Sequence, residues 1–204
     1  DTLLETDAFT SYSIRYPSDG LLIYGFVNVP KGDGPFPVIV SIHAYSRDGE
    51  YDVFYPYADF ADFFASNGFI VLHPGLRNQP PSDNGENLLR VGMTVDVLNL
   101  IALAKDESQW PSELPAANTD TLGLWGMSLG GEIALRILTI RSDIKATVLY
   151  SSLTGDIERN SKQLYAELVD QQFQQDLQLP PEMFERISPV HYYDSINSPV
   201  QIHH

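Results

Sequence analysis

Two stretches near the start of the chain alternate apolar and polar positions around a turn. TSYSIRYPS (Thr10–Ser18) and LLIYGFVNVP (Leu21–Pro30) flank Asp19-Gly20, which is the pattern of a β-hairpin. KGDGPFP (Lys31–Pro37) is a turn, and VIVSIH (Val38–His43) is a nearly continuous apolar run, as expected of a strand buried on both faces. YPYADFADFFASNG (Tyr55–Gly68) sets Tyr57, Phe60, Phe63 and Phe64 at helical spacing, which assigns them to the core, and it stops at Asn-Gly. FIVLHPG (Phe69–Gly75) reads as another buried strand. After a Pro-rich loop, NLLRVGMTVDVLNLIALAK (Asn87–Lys105) predicts a long helix, weakest at Gly92. TLGLWGM (Thr121–Met127) is then a strand, LGGEIALRILTIR (Leu129–Arg141) a helix and KATVLYSS (Lys145–Ser152) a strand.

Strands alternating with helices imply an α/β fold. The expected architecture is a mostly parallel sheet with helices on both faces and the antiparallel hairpin at one edge. Leu153–Arg186 breaks the alternation. Its core, NSKQLYAELVDQQFQQDLQ, is polar, helical and rich in Gln, and it predicts a small cap at about residues 155–186 of a single domain spanning 1–204. SPVQIHH (Ser198–His204) reads as one more strand.

The composition narrows the function mainly by exclusion. A net charge of −15 repels phosphate backbones and anionic membranes, so neither nucleic acid nor a membrane is an expected partner. No window approaches the roughly 20 apolar residues that span a bilayer. With no cysteine, disulfides and thiolate metal sites are ruled out. The chain begins at Asp1 rather than Met, as expected where an upstream segment has been removed, whether in nature, as a cleaved signal peptide of a secreted protein would be, or by design.

The chemistry lies in Gly126-Met127-Ser128-Leu129-Gly130, a G-x-S-x-G pentapeptide between an apolar strand and a helix. A serine on such a turn exposes its hydroxyl as a nucleophile, and bulky side chains at Gly126 and Gly130 would strike adjacent strands. The helix that follows aims its positive end at a developing oxyanion. One oxyanion donor is the Leu129 N–H. The other is expected from the loop His43-Ala44-Tyr45-Ser46, in which His43 reads as a brace.

Taken together, YPSDGLLIYGFVNVPKGDGPFPVIVSIHAYS, GFIVLHPGLR, GMSLGG and ISPVHYYDSINSPVQIHH resemble the α/β-hydrolase fold over nearly the whole chain. The branch is that of the prolyl oligopeptidase-like and dienelactone hydrolase-like serine hydrolases. The resemblance implies that the Tyr45 N–H is the second oxyanion donor. Ala44 stands where the family usually has glycine, and alanine tolerates a positive φ poorly. His43 and Arg77 are then candidates to line a substrate pocket, Arg77 by binding a carboxylate.

In the resembled family the acid is an aspartate just after the strand that here reads PVQIHH, and the base histidine follows one further strand. Neither position falls within the 204 residues, so the resemblance implies a domain lacking its last strand and helix. The sheet edge beside PVQIHH would then invite pairing with another copy. Within the chain, Asp156 reads first as a helix cap and second as a substitute acid. No histidine is expected within hydrogen-bond distance of the Ser128 hydroxyl. The functional expectation is a carboxylesterase-type serine hydrolase acting on a small-molecule ester without a cofactor. A prolyl oligopeptidase-like peptidase and a binding module that has lost its triad are the alternatives.

Overall fold

The computed structural model describes residues 1–46, 58–106, 108–111, 114–169 and 171–204. Its strands are β1 (Thr2–Glu5), β2 (Phe9–Ser18), β3 (Leu21–Pro30), β4 (Phe36–Ile42), β5 (Ile70–Pro74), β6 (Ala117–Met127), β7 (Thr147–Tyr150) and β8 (Val200–His203). Its helices are α1 (Ala58–Ser66), α2 (Val91–Lys105), α3 (Leu129–Ile140), α4 (Ile157–Leu168), α5 (Gln171–Asp176) and α6 (Pro181–Ile187). All eight strands form one sheet in the order β1-β2-β3-β5-β4-β6-β7-β8. From β5 through β8 every pairing is parallel, whereas β1–β2, β2–β3 and β3–β5 are antiparallel. This is the α/β-hydrolase architecture. The hairpin pairs in unbroken register from Phe9↔Pro30 to Ser18↔Leu21, as its alternation requires.

Alternation along the buried strands sorts their side chains between two helical layers. Val38, Val40, Ile42, Leu72, Leu122 and Leu124 pack against Val97, Ile101, Ile133 and Ile137 of α2 and α3. On the opposite face, Phe9, Phe26 and Val71 meet Ala61 and Ala65 of α1. Helices therefore cover both faces.

Two expectations need correction, and one strand was not foreseen. Phe63 lies on the solvent side of α1 and is 63% exposed, because the inner face of that helix is made by Ala61 and Ala65. Phe60 and Phe64 sit at the margin, the first tilted against Trp125 and the second edge-on to it, with ring centroids 4.6 and 6.4 Å away, and Tyr57 lies outside the described residues. The long helix begins at Val91 rather than Asn87. Leu88–Arg90 form a 3-10 turn in which Leu89 (φ 49°) and Arg90 (φ 60°) are left-handed, so the break precedes Gly92. Finally, TLLE at the N-terminus forms β1, whose four side chains are all exposed and which carries no alternation to read.

Between β7 and β8, α4, α5 and α6 form the excursion anticipated from the polar Gln-rich stretch. Asp156 caps α4, its carboxylate accepting from the Arg159 N–H at 3.0 Å.

Candidate active site

The elbow is the most constrained point of the backbone. Ser128 sits at the N-terminus of α3 with φ 51° and ψ −113°, a region that L-residues rarely occupy. Such a conformation costs on the order of 1–3 kcal/mol and persists only where the surroundings over-determine it. Here they do. The Ser128 N–H donates to the Tyr150 carbonyl of β7 at 3.1 Å. Its carbonyl accepts from Gly131 (3.0 Å), Leu153 (3.0 Å) and Glu132 (3.4 Å). Both backbone groups are thus tied down while the half-buried side chain is not. Among the described residues its hydroxyl has no hydrogen-bond partner.

The glycines on either side are required by close approach. A Cβ on Gly130 would stand 2.6 Å from the His43 carbonyl oxygen and nearer still to that of Ile42, both at the end of β4. A Cβ on Gly126 would meet the Gly130 carbonyl oxygen at 2.6 Å. The neighbour at Gly126 is therefore the start of α3 and not an adjacent strand, a correction to the expectation above.

β4 and β6 run in parallel with Ile42 opposite Gly126. That register brings the His43–Ser46 loop alongside the elbow, at the carboxyl ends of two neighbouring strands. The Leu129 N–H begins α3 and donates to no carbonyl or side chain among the described residues. Tyr45 is half-buried, and its ring meets that of Phe173 from α5 edge-on at 5.3 Å, so the cap rests on this loop. Ala44 takes no positive φ, so alanine at this position carries no left-handed strain.

Two candidates for the pocket lie elsewhere. His43 is 1% exposed. Its Nδ1 stands 2.6 Å from the Ala44 carbonyl, and burial lowers its pKa to about 4, although backbone hydrogen bonding at Ala44 and Gly75 works in the other direction. It braces the loop from beneath and lines no open surface. Arg77 is also buried, because its guanidinium is consumed inside the protein. Nε and Nη2 donate to Asp96 at 2.8–3.2 Å and Nη1 to the Glu86 carbonyl at 2.9 Å. An arginine so engaged has no fork left for a substrate carboxylate.

His73 lies beneath the same region, stacked on Phe26 at 4.5 Å and 5.7 Å from His43. His203 stands opposite Tyr150 on β8, and both His203 and His204 are exposed. Sequence reasoning did not find a buried cluster beside the elbow, in which Arg90 meets Glu132 and Asp176 at 2.7 and 2.8 Å. The available signal was a Glu and an Arg four residues apart, at 132 and 136, on a helix that is otherwise apolar.

A strained serine between two obligatory glycines, at the carboxyl end of a parallel strand and heading a buried helix, defines the class as α/β hydrolase. A family model described as chlorophyllase matches residues 7–157, well over half of the chain, and the chain belongs to that family. No curated protein matches it. Among solved structures it is similar to Pyrococcus horikoshii acylaminoacyl peptidase (21% identity, TM-score 0.72), covering 96% of this chain and 32% of that one. The puromycin-hydrolyzing peptidase of Mycobacterium tuberculosis is similar at 18% identity and TM-score 0.73, with 98% and 31% covered. Acetyl xylan esterase 1 from Thermoanaerobacterium is similar at 14% identity and TM-score 0.65, with 99% and 79% covered. The chain thus spans about a third of the length of these peptidases. At such identities the likeness is one of fold.

Proposed function

We propose that this hydrolase is a carboxylesterase-type enzyme with Ser128 as its nucleophile. The observation that carries the reading is the strained Ser128 at the head of α3, with its hydroxyl and the Leu129 N–H both uncommitted. In the reaction Ser128 Oγ attacks the ester carbonyl carbon, and the N–H groups of Tyr45 and Leu129 stabilise the oxyanion. Collapse expels the alcohol, which takes up the serine proton by way of a base, and leaves an acyl ester on Ser128. Water then releases the acid. The solved structures this chain is similar to include acylaminoacyl peptidases as well as an acetyl xylan esterase, so a serine peptidase is the second reading.

The base is the open element, since no histidine is bonded to the Ser128 hydroxyl among the described residues. General-base assistance contributes roughly 10²- to 10⁴-fold, so this chain should turn over p-nitrophenyl acetate slowly. Imidazole supplied in solution should restore part of the deficit. The test is turnover against imidazole concentration for the wild type, with the same curve for Ser128→Ala subtracted. A saturable Ser128-dependent increase supports the reading. Faster turnover of acylaminoacyl anilides than of esters would favour the peptidase. Folded protein with no Ser128-dependent turnover of either substrate would sink the assignment.

A further inference from the structure

Beside the elbow, two left-handed residues without glycine's freedom stand in succession. Leu89 (φ 49°, ψ 29°) and Arg90 (φ 60°, ψ 19°) close the turn that leads into α2. Strain of this kind survives only where neighbours fix it, and the neighbours come from the cap and from α3. The Leu89 N–H donates to Asp176 Oδ1 of α5 at 2.9 Å, and its carbonyl accepts from Arg136 Nη2 of α3 at 3.0 Å. Its side chain is buried with Ile157 and Phe184 of the cap.

Arg90 is 1% exposed and spends its guanidinium on three elements. Nε donates to Glu132 Oε1 of α3 at 2.7 Å, Nη1 to Asp176 Oδ2 of α5 at 2.8 Å and Nη2 to Ser161 Oγ of α4 at 3.1 Å. Its carbon centre also lies 5.5 Å from the centre of the Phe173 ring. The other Glu132 oxygen accepts from Asn160 Nδ2 of α4 at 2.7 Å. Glu132 belongs to the first turn of the nucleophile helix, and its own N–H points back to the Ser128 carbonyl at 3.4 Å. Two guanidinium groups, Arg90 and Arg136, balance two carboxylates, Glu132 and Asp176, in a site where no member exceeds 8% exposure. A cluster buried this deeply is retained at a desolvation cost, which makes it a poor device for stability alone.

We propose that Arg90 and Glu132 are positioning residues that fasten the first turn of α3 to the cap, so that seating the cap and setting the elbow are a single structural event. The proposal rests on the reading of Ser128 as the nucleophile only for its catalytic consequence. The mechanical link stands on the contacts themselves.

The test compares Asp176→Asn and Glu132→Gln with wild type by native-state hydrogen exchange and by imidazole-supported ester hydrolysis. Leu100→Ala, a core cavity away from the cluster, serves as the control for lost stability. The amides of α4 and α5 and those of Gly131 and Glu132 should exchange faster together, on the order of tenfold beyond the control. Hydrolysis should lose kcat at unchanged KM in both variants and not in the control. Cap amides that loosen while Gly131 and Glu132 keep wild-type exchange would overturn the proposal, and so would variants indistinguishable from Leu100→Ala. Should Asp176→Asn fail to fold, Ser161→Ala removes a single hydrogen bond, the one from Arg90 Nη2, in the same cluster and carries the same comparison. If Ser128→Ala leaves turnover unchanged, the nucleophile reading fails, and the exchange data still decide the link.

Discussion

Lowering the pH tests the histidine that braces the His43–Ser46 loop. His43 is fully buried, and its pKa falls from the ordinary value of 6.5 to about 4, chiefly because burial disfavours the charged ring. The unfolded chain therefore takes up a proton at this residue as the pH drops through about 6.5, whereas the folded chain resists until about 4. Stability from His43 is fully present above about pH 6.5 and is lost progressively below it. The gap is worth about 3 kcal/mol when complete and about 2 kcal/mol by about pH 5. His73 acts in the same direction, since burial and then the nearby His43 also hold its pKa well below the usual value. Asp62 and Asp176, raised by burial, act with the opposite sign, so the informative quantity is a difference between proteins. The assay is urea unfolding of wild type and His43→Gln at a series of pH values. At a typical urea dependence of about 2 kcal/mol per molar, the wild-type midpoint should fall about 1 M further than the variant's between about pH 7 and pH 5. Parallel curves for the two proteins over that window would refute the argument, because glutamine cannot titrate.

The elbow yields two further expectations. Ser128→Gly should stabilise the fold by about 1 kcal/mol, because glycine occupies φ 51°, ψ −113° without the serine's penalty. Calorimetry should then read a melting temperature about 2–4 °C higher, and an unchanged or lower value would mean that the elbow is not strained. Gly130→Ala should destabilise by at least about 3 kcal/mol, since the new methyl meets the backbone carbonyls of β4 rather than a side chain that could move aside. A urea midpoint within error of wild type would contradict that geometry.

Elements that bury one face or two were legible because burial imposes a period. The hairpin, the apolar runs of β4, β5 and β7, and the strand–turn–helix at Ser128 all follow from local pattern. β1 escaped because TLLE buries nothing and owes its conformation to pairing with β2. Phe63 was misplaced because its helix presents small residues inward, and aromatic spacing alone does not say which face is covered. Arg77, Arg90 and Glu132 were unreadable for a shared reason. A charge in sequence looks solvated until a partner tens of residues away is known, and these partners lie on other elements. The elbow was readable because its glycines and serine are adjacent in the chain.

Asp96 gives the sheet a feature that its strand ladder does not describe. Buried in α2, it accepts from the Ser18 hydroxyl at 2.6 Å and from the Arg77 N–H at 2.8 Å, while its carbonyl accepts from the Tyr16 hydroxyl at 3.1 Å. The antiparallel half of the sheet is joined to the parallel half by the β3–β5 pairing and by the packing of Phe9 and Phe26 on α1. With Asp96 in place, the far end of the hairpin is riveted to the helix that covers the parallel half. In the language of cooperative units, the rivet makes one out of two. Its removal should be visible as β2 and β3 opening at lower free energy than β4 and β6, so that hydrogen exchange of Asp96→Asn would divide a single sheet into two populations.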